Sequence, residues 1–227
     1  PGGVGWYKKS FDLDYDSTKL VSISFGGVYE RSEVWINGHY LGLRPNGFIG
    51  FSYDLTKFLN KDGKGNVLTV KADNSLQPNT RFYTGSGINR PVSLIQVEKL
   101  RIGNLFIFSD QVDKGLATIQ LQIPVVNSTD SIQSVQVITE VINPQGIVVS
   151  ERKTAREVVI NLNSTRLLTF SVNIPNPELW SPEKPNLYRV KNTILIGGEE
   201  IDAVETVTGL RYFRFDAKSG FWLNDEN

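Results

Sequence analysis

Three observations predict an all-β protein. Apolar residues recur with period two, helical periodicity is almost missing, and turn residues punctuate the chain at short intervals. Taken along the chain, Val21, Ile23 and Phe25 alternate with polar neighbours and read as a half-buried strand. Trp35-Ile36-Asn37-Gly38-His39-Tyr40 reads as a hairpin, because Asn and Gly both tolerate the positive φ that a two-residue turn needs. Leu55-Thr56-Lys57-Phe58-Leu59 is the single stretch resembling a helical turn, with Asp54 or Thr56 as its cap. Strands follow at Val67 to Ala72 and Val92 to Val97, then at Ala117, Ile119, Leu121 and Ile123, where Thr118, Gln120 and Gln122 supply a wet face. Val135 to Ile142 is apolar on both faces apart from Gln136, Thr139 and Glu140, which predicts a central strand. Asn143-Pro144-Gln145-Gly146 reads as a second hairpin turn, and Leu168, Phe170, Val172 and Ile174 as one more alternating strand. Short strands at such spacing indicate β-sandwiches.

A composition shift places a domain boundary near Glu98 to Arg101. Aromatics and glycines dominate before it, and long Val/Ile/Thr/Gln strands after it, as in an immunoglobulin-like sandwich reaching about Asp216. The expected division is therefore 1–98, 99–216 and a turn-rich exit over 217–227. The 227 residues suffice for two domains of about 100 each. Pro1 stands where an open reading frame places Met, and the chain finishes Asn224-Asp225-Glu226-Asn227. Both ends are expected to be cut.

Bulk chemistry narrows the function classes. With 24 basic and 24 acidic residues the formal charge is zero, so neither nucleic acid nor an anionic membrane is the expected partner. No apolar run approaches the roughly 18 residues of a membrane-spanning helix. The sequence has no cysteine and one histidine, so disulfides, thiolate metal sites and a Ser/His/Asp triad are not expected, and no cofactor is implied. Loop oxygens leave room for a calcium or sodium ion. His39 reads as an exposed turn residue. Acidic residues such as Glu30, Asp62, Asp130, Glu178 and Glu199 fall at strand ends or turns and read as solvated, since burying an unpartnered carboxylate is costly. No catalytic residue is assigned. Asn127 and Asn163 each open an Asn-X-Ser/Thr triplet, to which little weight attaches.

One stretch stands out, running from Asn79 through Arg81, Phe82, Tyr83, Gly85 and Gly87 to Arg90 between two strands. Aromatic faces stack on sugar CH groups, guanidinium forks hold hydroxyls or carboxylates, and glycine lets the backbone approach a ligand. The same composition also describes a long loop anchored by its own aromatics.

An ordered series of motifs carries a resemblance. Gly5-Trp6-Tyr7-Lys8-Lys9-Ser10-Phe11 is followed by Phe25-Gly26-Gly27-Val28, Val34-Trp35-Ile36-Asn37-Gly38, Gly47-Phe48 and Asp54-Leu55-Thr56. Asp73-Asn74 and Arg81-Phe82-Tyr83-Thr84-Gly85-Ser86-Gly87-Ile88 come next. Leu179-Trp180-Ser181-Pro182, Pro185-Asn186-Leu187-Tyr188, Gly209-Leu210-Arg211 and Gly220-Phe221-Trp222-Leu223-Asn224 close the series. This series resembles glycoside hydrolase family 2, the β-galactosidase and β-glucuronidase group.

The resemblance implies a galactose-binding-like jelly-roll domain over 1–98, lacking its first strands, and an immunoglobulin-like sandwich over 99–216. It further implies a catalytic (β/α)₈ barrel beyond this chain, towards which 217–227 would lead. In the family the loop before the Ser/Ala-Gly-Ile motif touches the non-reducing sugar. That implication makes Arg81 the first substrate-binding candidate, with Tyr83 and Asn79 beside it, and leaves Asp73, Asn74 and Arg90 to fold the loop. The best-known members carry Asp at the position of Arg81, and other β-galactosidase-like members carry Arg. The implied activity is that of a retaining exo-β-glycosidase acting on terminal β-galactosyl residues, this segment being silent alone. The implied partners are a terminal β-linked sugar, the barrel and a second copy of the enzyme, and the implied compartment is periplasmic or secreted. The alternatives are a stand-alone carbohydrate-binding module with a sandwich spacer, and a purely structural pair of sandwiches.

Overall fold

The computed structural model describes residues 2–76 and 85–226, and among them the regular elements are all strands. The chain divides into two compact units, Pro1–Glu98 and Lys99–Asn227.

The first unit contains β1 (Val4–Phe11), β2 (Leu20–Phe25), β3 (Val28–Tyr29), β4 (Ser32–Ile36), β5 (His39–Arg44), β6 (Phe51–Asp54), β7 (Asn66–Asp73), β8 (Gly87–Ile88) and β9 (Val92–Val97). They form antiparallel sheets in the orders β1-β7-β4-β5 and β6-β2-β9, with β3 and β8 as a short separate pair. Neighbouring strands are rarely consecutive in the chain, so the connections cross between sheets as in a jelly roll. Period-two alternation aims Val21, Ile23 and Phe25 from β2 at Val34 and Ile36 from β4 and Leu68, Val70 and Ala72 from β7. Phe25 stacks on Phe51 with ring centroids 5.0 Å apart. Each such buried Val, Leu, Ile or Phe side chain is worth about 1.5–3 kcal/mol of transfer free energy.

Asn37 and Gly38 have φ of 48° and 83°, and Ile36 pairs with His39 across the turn. The Asn37 side chain also donates to the Phe58 carbonyl (2.8 Å) and accepts from the Val67 amide (2.7 Å), tying the hairpin tip to β7. At Leu55 to Leu59 the chain makes one hydrogen-bonded turn, Phe58 N to Leu55 O, capped by Asp54 accepting from the Thr56 amide at 2.8 Å.

The second unit contains β10 (Leu100–Ile102), β11 (Phe106–Val112), β12 (Leu116–Asn127), β13 (Gln133–Ile142), β14 (Val148–Lys153), β15 (Val158–Ile160), β16 (Ser164–Pro175), β17 (Tyr188–Ile196), β18 (Glu199–Thr208), β19 (Phe213–Asp216) and β20 (Gly220–Leu223). One sheet has β12 at its centre, paired with β16 from Leu116↔Pro175 to Asn127↔Ser164 and, on its other edge, with β10 and β11. Pro124 is tolerated there because it falls between the stretches paired with those two strands. Its carbonyl accepts from the Gly103 amide at 2.7 Å, and its nitrogen points into the same gap. The facing sheet runs β14-β13-β17-β18, with β15 added to β13. Leu121, Ile123 and Phe170 meet Val137, Val141 and Val190 in the core. This is an immunoglobulin-like sandwich. The hydroxyl of Tyr188, opening β17, accepts from the Glu178 amide at 2.9 Å and pins the preceding corner.

Residues 217–227, expected as a linker, hold β20, whose hairpin with β19 pairs Phe213 with Leu223. Asn224 ties this end back by donating to the Trp180 carbonyl at 2.9 Å. The Arg211 guanidinium lies 5.0 Å from the centroid of the same Trp180 ring.

Candidate functional site

Asn79, Arg81 and Tyr83, the substrate-binding candidates, lie outside the described residues. What the structure places is the base from which their segment springs, and it is tied on both sides. On the entering side Asp73 accepts from the Ser75 hydroxyl (2.6 Å) and amide (3.1 Å) and pairs with Arg31 at 3.0 Å. Those hydrogen bonds, with the Arg31 charge as a lesser contribution, lower the Asp73 pKa from its ordinary value. Asn74 is 3% exposed, exchanges two backbone hydrogen bonds with Gly3, and donates from Nδ2 to Ser86 Oγ at 2.8 Å. That bond bridges the two stems of the segment.

On the leaving side β8 pairs with β3, Gly87 facing Tyr29 and Ile88 facing Val28. Gly87 has φ of 99°, and a Cβ there would collide with the Tyr7 hydroxyl. Only glycine lets β1 approach this close. Gly47 serves the same end, because a Cβ on it would collide with the Tyr29 ring. Tyr29 packs on Phe48 with centroids 5.1 Å apart, and Arg90 Nη1 donates to the Phe48 carbonyl at 3.3 Å. Asp73, Asn74 and Arg90 thus fold the base. Phe48 stood in the sequence only as part of the Gly47-Phe48 motif and Tyr29 carried no signal of its own, since their role comes from the β3–β8 pairing. A shallow pocket of about 240 Å³, lined by Arg44, Pro45, Asn46, Ile49, Gly50 and Phe51, lies along the same chain segment.

The remaining candidates are simpler. His39 is exposed, its ring 5.0 Å from that of Phe58. No cluster of three or more His, Cys, Asp or Glu side chains able to hold a metal occurs among the described residues. Asp216 is lowered from its ordinary pKa by the Ser219 hydroxyl and nearby amides, and Asp225 by the Tyr212 hydroxyl. With Asp73 these move opposite to the direction a general acid requires. Asn127 is buried, with Nδ2 directed at the carbonyls of Ser131 (2.8 Å) and Asn161 (3.1 Å), so the folded chain does not present it for glycosylation. Asn163 is exposed at φ 46°.

Comparison with known proteins gives the same assignment for each unit. The family description "Glycosyl hydrolases family 2, sugar binding domain" matches residues 2–98, and "Glycosyl hydrolases family 2" matches residues 100–211. A β-galactosidase of Bacteroides ovatus is 38% identical over 227 residues, covering 99% of this chain and 26% of that protein. A β-glucuronidase of Formosa agariphila is 31% identical over 247 residues, covering 99% of this chain and 25% of the relative. The crystal structure of a Bacteroides uniformis β-glucuronidase superposes with a TM-score of 0.90 at 26% identity, over 100% of this chain and 28% of that one. The chain therefore spans about a quarter of the length of the relatives it matches.

Proposed function

From the premise that this chain belongs to family 2 of the glycosyl hydrolases, we propose that it is the non-catalytic part of a retaining exo-β-galactosidase and supplies one wall of the sugar subsite. The observation that supports this reading is the tied base within the sugar-binding-domain match. A segment rich in Arg, aromatic and Gly residues is held at both stems by Asn74, Ser86 and the β3–β8 pair. A base tied at both stems would lower the ordering cost of binding a ligand through Arg81, Tyr83 and Asn79. The Arg81 guanidinium would bridge sugar hydroxyls, the Tyr83 ring would stack on the pyranose CH face, and the Asn79 amide would offer both a donor and an acceptor.

Bond cleavage in this proposal belongs to two carboxyl groups of the barrel. One protonates the leaving oxygen, and the other forms the glycosyl intermediate that water resolves. The relatives carry both galactosidase and glucuronidase names. We favour the galactosidase because Arg81 matches galactosidase-like members and because the β-galactosidase relative is 38% identical. The test compares nitrophenyl β-galactoside with nitrophenyl β-glucuronide as substrates of the full-length gene product. The expected result is a kcat/KM at least tenfold higher on the galactoside, with no turnover by the 227-residue chain alone. The opposite order of substrates overturns the sugar assignment, and turnover by the short chain overturns the division of labour.

A further inference from the structure

The outer face of the β1-β7-β4-β5 sheet carries a row of aromatic rings that neither the core nor the loop base uses. Val70 and Ala72 of β7 point into the core, so Thr69 and Lys71 point outward, and their register partners Lys8 and Trp6 on β1 point outward with them. On the other side of β7, Trp35 is paired with Thr69 and Glu33 with Lys71, which places both on this face. Tyr40 of β5 is paired with Trp35. The rings touch in sequence across the sheet. Trp6 and Trp35 stack with centroids 5.6 Å apart and planes 29° apart, and Trp35 meets Tyr40 at 5.4 Å. Trp6 is 63% exposed and Tyr40 53%, far more than a side chain whose task is to fill a core.

What borders the rings decides the occupant. Lys71 and Glu33 lie beside them and pair with each other at 2.9 Å, so these two charges cancel locally. Thr69 adds a hydroxyl and Lys8 a single further cation, and the exposed Val4 and Leu43 extend the apolar surface at the edges. A protein-binding core is depleted of Lys and Glu, whereas here they are interleaved with the aromatics. A nucleic acid or an acidic polymer needs an unpaired positive stripe. A neutral pyranose chain needs flat apolar surfaces for its CH faces, with donors and acceptors beside them for its hydroxyls. We propose that this sheet face is an accessory binding surface for a neutral β-linked polysaccharide, built from residues other than Asn79, Arg81 and Tyr83; on the reading proposed above, it would hold the enzyme on a polymer whose chain ends are consumed.

The test is affinity electrophoresis of the full chain in native gels containing hydroxyethylcellulose or β-1,4-galactan, with polygalacturonate as the charged comparison. The expected result is retardation in at least one neutral gel, weakened tenfold or more in apparent Kd by Trp6→Ala and separately by Tyr40→Ala. Two variants on different strands guard against a folding defect in either. Arg81→Ala should retain the retardation, which separates this surface from the proposed subsite. Migration unaltered in both neutral gels, equal retardation of the aromatic variants, or a stronger effect in polygalacturonate overturns the proposal. So does concentration-dependent self-association, seen by sedimentation, that Trp6→Ala abolishes, because the face would then receive a second copy of the chain.

Discussion

At the scale of single residues, Asp73 holds the entering stem through Ser75 and Arg31. Its pKa is lowered in the folded chain. The folded state therefore binds its proton less readily than the unfolded state, and the ionised carboxylate favours folding. That contribution is fully present above the unfolded value of about 3.9 and is lost as pH falls through the lowered folded value. Thermal unfolding of wild type and Asp73→Asn should thus differ by a constant amount at neutral pH, with the two curves converging only in acid. A gap that closes between pH 6 and 8 would contradict this assignment. Asp73 and Asn74 were visible in the sequence as residues that fold the loop, and Gly87 as a point of close backbone approach. Their partners were not, because Asn74–Ser86 and Gly87–Tyr7 join residues that only the folded strands bring together.

At the scale of elements, β13 shows both what alternation can reveal and where it stops. Its apolar character on both faces predicted a central strand, and it pairs with β14, β15 and β17. The polar Thr139 within it gave no hint of its place, which is buried, with its hydroxyl 2.6 Å from Asn192 Oδ1 on β17. Asn192 Nδ2 makes no hydrogen bond among the described residues. Removing the hydroxyl alone leaves a second buried polar atom without a partner, so Thr139→Val should destabilise by about 1–3 kcal/mol. Combining it with Asn192→Leu removes both polar groups and should cost less than the sum of the single changes, measured as a double-mutant cycle in urea. Strict additivity would mean that the pair is not coupled. The hairpin at Asn37-Gly38 was legible because its turn chemistry is local. The β3–β8 pair was not, because each strand has only two residues and its partner lies about sixty positions away.

At the scale of the whole molecule, the all-β class followed from periodicity, while the family followed from motifs spread over both units. The sequence has no concentrated constellation of catalytic groups, and the carboxylates Asp73, Asp216 and Asp225 are engaged in local turns and ties. Arg81 is the residue on which the proposed sugar subsite depends most. Steady-state hydrolysis of nitrophenyl β-galactoside by the full-length enzyme, wild type against Arg81→Ala, tests it most directly. The prediction is a fall in kcat/KM of tenfold or more, about 1.4 kcal/mol of transition-state stabilisation, with the melting temperature unchanged. An unchanged kcat/KM would contradict the claim that this chain forms part of the sugar subsite.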